Sequence, residues 1–280
     1  MQPMQPMQPM PIDPSGCLLV VGLERKPNMT CSHDELKDYY SALPDACGYD
    51  ALCKMDIPKE LPGKTALDVA CRRGKGIYKL AEQVGPTGKA LGCEWRADML
   101  ERARAGEARA IEKCGFDQSN MEFLDVFPEE LCDVVGEDCA DFAYVNCVLN
   151  LFCNPAEALT QIRRALKPGG LLACDTVLSS GPRNAEVVKQ ARALGNAVQA
   201  APPRKDFMAW IASAGFDITS IGAFASSNVD PCVDADGKAT VATAESDEPV
   251  TFVATSIHVY KPDEIDRHRK KLMDDISKFR

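Results

Sequence analysis

The sequence predicts an α/β fold with a mainly parallel sheet. Three observations predict it. Short apolar runs alternate with helix-period segments from residue 65 onward. Two of those runs end in a carboxylate, at Asp68 and, about twenty residues later, at Glu94. Two strand-like runs near the end have no helix between them, which fits strands added to an alternating βα core.

The elements follow in order. Residues 1–30 read as a disordered tail, because a threefold Met-Gln-Pro repeat opens them and proline every third residue blocks helix and sheet. Residues 31–62 read as a helical N-terminal cap. Ser32-His-Asp-Glu35 supplies a cap and an acidic first turn, and the helix runs through Tyr39 and Tyr40 to about Leu43. Residues 63–180 hold the core. Strands are expected over 65–70, 90–95, 121–125, 142–147 and 171–177, and helices over 76–84, 97–114 and 155–166. Lys167-Pro-Gly-Gly170 reads as a turn that ends a helix and launches a strand. Residues 181–262 add a long helical stretch over 184–200, a helix over 204–214, strands over 217–223 and 250–260, and a loop over 226–248. Residues 263–280 read as a polar, solvated C-terminal helix.

Composition narrows the function. The chain has 280 residues, of which 45% are hydrophobic, enough for one large domain with a sizeable core. A net charge of −9 without a basic stripe disfavours nucleic acid and suits a small, soft or cationic ligand. No apolar run is long enough to cross a bilayer: residues 17–23 are far too few. No Lys or Arg precedes Arg25, so no signal-peptide n-region is expected. The 13 cysteines, an odd and scattered set, read as reduced thiols of a cytoplasmic protein. Cys71, Cys93 and Cys174 read as core. There is no Cys-x-x-Cys pair, and His33, His258 and His268 lie far in sequence from the Cys53 and Cys147 thiols, so no zinc site is expected.

The stretch Thr65-Ala-Leu-Asp-Val-Ala-Cys-Arg-Arg-Gly-Lys-Gly76, read with Gly92-Cys-Glu-Trp95, is strand, small-residue turn, helix, strand, acid. That is the nucleoside-binding half of a Rossmann-like unit. A carboxylate at the tip of the second strand can accept both ribose hydroxyls. Further pieces are Val84-Gly-Pro-Thr-Gly-Lys89, Gly115-Phe-Asp-Gln-Ser-Asn120, Asn146-Cys-Val-Leu-Asn-Leu151, Leu166-Lys-Pro-Gly-Gly170 and Phe252-Val-Ala-Thr255. Together they resemble class I S-adenosylmethionine-dependent methyltransferases, and within them the arsenite methyltransferases, over residues 39–261. The resemblance implies a seven-stranded, mainly parallel sheet with helices on both faces and an antiparallel last strand. It implies S-adenosyl-L-methionine as cofactor, across the carboxyl ends of the strands.

By that resemblance, Asp68 organises the loop and the methionyl amine. Glu94 takes the ribose, Trp95 stacks on the adenine, and Asp125 and Val126 read the adenine edge. Asn146 is a further cofactor-binding candidate, and the next residue, Cys147, puts a thiol at the mouth of the pocket. The family's loop glycines fall at Ala70, Arg72 and Gly74, and only the last is glycine here. A bulky residue at 72 leaves two outcomes. Arg72 swings out, where it can pair with the cofactor carboxylate, or it blocks the pocket and leaves a non-catalytic binding protein.

Trivalent arsenic is soft, and thiolates bind it while leaving its lone pair free to attack a sulfonium methyl. The catalytic and arsenic-ligating candidates are Cys147, at the end of the fourth strand, and Cys53, fifteen residues before Asp68, the spacing of the family's cap cysteine. The family's third thiol falls at Asn196, which cannot act as a soft ligand, so a methylated arsenical suits this chain better than free arsenite. Cys31 and Cys47 can supply a redox or delivery partner, and a thiol reductant is a possible partner. Other small acceptors (a thiol, selenol, phenol or amine) remain open.

Overall fold

In the computed structural model, residues 31–44, 55, 57–228 and 250–263 are described. The expected tail, the C-terminal helix and Cys53 lie outside them. Helix α1, His33–Ser41, begins at a capping box: Ser32 Oγ accepts the Glu35 amide, and Glu35 returns a bond to the Ser32 amide. The core then alternates through β1 (Thr65–Val69), α2 (Lys75–Val84), β2 (Lys89–Glu94), α3 (Ala97–Cys114), β3 (Met121–Asp125), α4 (Leu131–Val135), β4 (Ala140–Asn146), α5 (Pro155–Ala165) and β5 (Leu166–Ser179). Helices α6 (Ala185–Ala193) and α7 (Arg204–Ser213) follow, then β6 (Asp217–Asn228) and β7 (Phe252–Tyr260).

The seven strands lie in the order β3-β2-β1-β4-β5-β7-β6. All neighbouring pairs are parallel except those made by β7, which runs antiparallel to β5 and to β6. This is the sheet that the resemblance implies. The chain order reverses between β1 and β4, so a cleft opens outside their carboxyl ends, the usual ligand position in such sheets.

Both faces are packed, and the strands' period of two separates them. Ala66, Ala90, Phe142, Tyr144 and Ala173 pack against Ile77, Leu80, Ala81 and Val84 of α2. Leu67, Leu91, Ala143, Val145 and Leu172 join Leu159 and Ile162 of α5 and Phe207 of α7 on the other side. By the same alternation, Asp68, Glu94, Asn146 and Asp175 all fall on the α2 side; the first three lie at the carboxyl end of their strands, and Asp175 is in register with Asn146.

Three expectations need correction. The 184–200 stretch is not one helix: α6 stops at Ala193, Gly195 takes φ +66°, and Asn196 Oδ1 accepts the Val198 and Gln199 amides, which turns the chain. Lys167 to Gly170 is a four-residue excursion within β5 rather than a turn before it, since Leu166 pairs with Ala140 and Leu171 with Phe142. Strand β6 runs to Asn228, past the expected end at 223. Helix α4 and short 3-10 turns at Pro128–Glu130 and Leu149–Leu151 were not expected; they are too short for a periodic signal.

Candidate functional site

The turn after β1 keeps the backbone that glycines would take. Ala70, Arg72 and Gly74 have φ of +62°, +49° and +88°. Two non-glycine residues therefore sit in the left-handed region, at about 1–2 kcal/mol each. The conformation persists because the surroundings over-determine it. Glu94 Oε2 accepts the Arg72 amide at 2.9 Å, and Oε1 accepts the Arg96 amide at 3.0 Å. The Cys71 amide donates to the Cys93 carbonyl, and the Gly74 amide to the Cys71 carbonyl.

Glu94 is only 1% exposed. Burial raises its pKa, against the backbone amides of Arg96 and Arg72 and the Arg72 charge, which lower it. Its two oxygens offer about four lone-pair sites, of which backbone amides fill only part, so acceptance of ribose hydroxyls stays chemically open. Arg72 is half-exposed, and its amide is part of the scaffold that holds Glu94.

Asp68 is 2% exposed, and burial, with a smaller contribution from Glu94, pushes its carboxyl up to about 7. Its Oδ2 makes no hydrogen bond. A methyl group added at Gly76 would collide with this carboxylate, so glycine is what lets α2 start so close to Asp68. Asn146, in register with Asp175, also has an unsatisfied buried oxygen, Oδ1. Buried polar atoms without partners are rare and call for an explanation. An ammonium, a hydroxyl or water supplies the missing donor, so these residues fit a nucleoside-bearing amino acid.

A cleft of about 550 Å³ adjoins the end of β2 and β3. It contains Trp95, the exposed Asp125, and Val126, whose amide donates to the Glu94 carbonyl. Its other wall is α1, through His33, Lys37, Tyr40 and Ser41. Trp95 is not a bare platform. Tyr40 lies 4.3 Å from it between ring centroids, tilted by 37°, and Phe152 meets its edge.

Sequence reasoning missed this wall. Tyr40 donates to the buried Glu129 carboxylate, which also accepts the Asn154 amide; the Cys153 amide donates to the Tyr40 hydroxyl. Burial holds Glu129 near pKa 7. Only the Tyr39-Tyr40 pair inside a short amphipathic helix hinted at a docked cap.

At the end of β4, Cys147 has φ +55°, is 6% exposed and donates its amide to the Asp175 carbonyl. It is disulfide-bonded, which corrects the expectation of a reduced thiol there. Asp175 is enclosed by Tyr144, Ser256 and the Met55 amide. Asn196, at the position compared with a third thiol, is buried and used in the backbone turn described above. Cys71, Cys93 and Cys174 are free, buried thiols whose pKa values burial drives upward, as expected for core residues. No metal-ligating cluster of three or more residues occurs among the described residues. No helix among them is long and apolar enough to cross a membrane.

Residues 60–215 match the family described as a methyltransferase domain. An arsenite methyltransferase of Halobacterium salinarum is 27% identical over 164 residues, 57% of this chain and 39% of that protein. The Mus musculus arsenite methyltransferase is 30% identical over 129 residues, 46% of this chain and 34% of that protein. This chain therefore matches well under half the length of these curated relatives. An arsenic(III) S-adenosylmethionine methyltransferase from Chlamydomonas reinhardtii has the same fold, with TM-score 0.65 and 22% identity over 82% of this chain and 74% of that one. The chain belongs to the methyltransferase-domain family.

Proposed function

We propose, from this family membership, that the chain is a cytoplasmic methyltransferase that uses S-adenosylmethionine and acts on a small soft acceptor, with a trivalent arsenical held by cysteine thiolates as the best candidate. The observation that carries the cofactor reading is the retained left-handed turn at 70, 72 and 74, tied by its amide to Glu94 beside the unsatisfied Asp68 oxygen. The cofactor supplies an electrophilic sulfonium methyl. Asp68 holds the methionyl ammonium, directly or through water. Glu94 accepts the ribose hydroxyls while keeping the loop in place. Asp125 and Val126 face the adenine edge, with Trp95 and α1 shielding it from solvent. Asn146 orients the methionyl end.

The acceptor side rests on Cys147 and Cys53. Cys147 ends a strand beside Asn146, so its sulfur belongs at the methyl end of the cleft. Its disulfide has to be reduced before it can ligate arsenic: two reductant thiols become one disulfide and leave two protein thiols. A thiol reductant is thus part of the proposal. Two thiolates suffice for a monomethyl arsenical, and Asn196 adds no third. The protein's contribution is positioning and desolvation.

The test is a methyl-transfer assay with reduced protein, S-adenosylmethionine and a monomethyl arsenical. Cys147→Ser and Cys53→Ser should each abolish transfer and leave cofactor affinity unchanged. Full activity in both variants sinks the arsenic reading; activity on a phenol, amine or thiol, indifferent to both changes, establishes another acceptor. The Asn196 turn favours keeping that second reading, because a structural amide stands where a third ligand is expected.

A further inference from the structure

We propose that Cys31 and Cys153 form a redox-modification site whose disulfide fastens α1 over the nucleoside cleft. Its effect on the cofactor rests on the function proposed above; the cross-link does not.

The two sulfurs lie 3.6 Å apart although 122 residues separate them in sequence. Both thiols are free and half-buried, whereas Cys71, Cys93, Cys132 and Cys174 are buried. Each stands next to a fixed point. Cys31 precedes Ser32, the cap of α1, and Cys153 precedes Asn154, whose side chain caps α5. A disulfide needs the sulfurs at about 2.05 Å, an approach that side-chain rotation and a small shift of the chain end before α1 can supply.

Helix α1 is a natural target for such a link. It has nine residues, too few to persist undocked. Side chains hold it: Tyr39 donates to the Leu151 carbonyl, Tyr40 to Glu129, and His33 bonds Glu130. Leu36, Tyr40 and Leu43 form a small cluster of their own, in contact with Cys31, Trp95 and Cys153. The same helix forms one wall of the cleft opposite Trp95 and Asp125. In this proposal nucleotide enters past that wall as α1 loosens, and a covalent tie just before its cap, Ser32, opposes this.

The reagent is a low-molecular-weight disulfide. The reagent enters at Cys31, on the chain end that precedes the α1 cap; burial and the Cys31 thiol hold Cys153 above the ordinary thiol value. The Cys31 thiolate attacks the reagent, forming a mixed disulfide and expelling one thiolate. Cys153 then loses its proton as it attacks the Cys31 sulfur, and the second reagent thiolate leaves. One reagent disulfide is reduced to two thiols, two protein thiols are oxidised to one disulfide, and the two protons pass to the departing sulfurs.

The experiment uses the full chain, reduced and then equilibrated with oxidised glutathione. Alkylation and peptide mapping read the cross-link. Amide exchange over residues 33–43 reads the docking of α1. Stopped-flow release of S-adenosylhomocysteine, followed by Trp fluorescence, reads the cleft. We expect a Cys31–Cys153 peptide, exchange in α1 slowed by about tenfold or more, and product release slowed by a similar factor. Dithiothreitol should reverse all three, and Cys31→Ser and Cys153→Ser should each abolish them while leaving release from the reduced protein unchanged. Glutathione retained on Cys31 without a cross-link overturns the proposal. So does a cross-link that leaves α1 exchange or product release unaltered. A chain that cross-links and gains protection in α1, yet binds no cofactor in either state, instead overturns the cofactor reading.

Discussion

The ends of β1 and β2 and the ends of β4 and β5 lie along one edge of the sheet, and they respond differently to unusual residues. In the first half, Ala70 and Arg72 replace the small residues that a left-handed turn prefers, yet the backbone still takes that turn. In the second half, Asn196 stands where a thiol is expected, and its side chain has been drawn into holding its own turn. The difference is one of what each half presents under the proposed function. There a nucleoside is gripped by backbone shape and by two carboxylates, and several hydrogen bonds can enforce that shape against about 1–2 kcal/mol of local strain. The proposed soft acceptor is gripped by the element at the tip of a side chain. No amount of backbone support converts an amide into a thiolate.

The largest expected effect breaks the first half. Glu94→Ala removes the acceptor of the Arg72 and Arg96 amides as well as the proposed ribose partner. Loss of charged hydrogen bonds should weaken S-adenosylmethionine binding by about 2–3 kcal/mol, roughly 30- to 150-fold in Kd. Calorimetric titration checks it, and an unchanged Kd would remove Glu94 from the site.

The pH dependence sharpens the role of Asp68. Burial raises its folded value to about 7 from 3.8, so the folded protein holds this proton more tightly. Its contribution to stability is full below about pH 4 and is lost as pH rises towards 7. Binding a cationic amine needs the ionised form, so the sign reverses for the ligand. Affinity for S-adenosylmethionine should fall about tenfold per pH unit below pH 7. Titrations at pH 6, 7 and 8 test this, and Asp68→Asn should bind weakly with no such slope.

Next in size is the second half. Asn196→Ala takes away the acceptor of two amides, a loss comparable to that of a helix cap, and should destabilise the fold by about 1–2 kcal/mol. Urea unfolding measures it. If stability is unchanged, the turn at 194–200 does not depend on Asn196, and the contrast between the halves weakens.

The smallest effect concerns the strained turn. Arg72→Gly relieves a positive φ, offset in part by the entropy glycine adds to the unfolded chain. A net gain of at most about 1 kcal/mol in unfolding free energy is expected. Cofactor affinity should change little if Arg72 only scaffolds Glu94 through its amide. A large gain in affinity would mean that its side chain obstructs the cleft.

Much of this was legible in the chain. Strand β3 and helix α3 occur at the expected residues, because apolar period and terminal carboxylates or glycine mark their limits. Asp68, Glu94, Asp125 and Asn146 all come to the carboxyl edge of the sheet, because each ends an apolar run that pairs in parallel with the next. The wall made by α1 was hidden. Its partners Glu129, Leu151 and Cys153 lie about 90 residues or more away in sequence, and no local pattern encodes such a contact. The break after α6 was missed as well: Ala and Leu favour helix on propensity, but Gly195 takes a positive φ and Asn196 then holds the turn.

By itself, the sequence determined the main alternation of strands and helices and the acids that end the strands, because periodicity and turn chemistry act locally; the antiparallel last strand was implied by the resemblance. Tertiary structure decided what those acids do to one another. Burial at a shared edge raises Asp68 and Glu94, lends Glu94 to the Arg72 amide, and leaves the Asp68 and Asn146 oxygens short of donors. It also decided which of the scattered cysteines meet. Proximity between Cys31 and Cys153 arises only once α1 docks on the segment before α5, and desolvation there raises the Cys153 thiol.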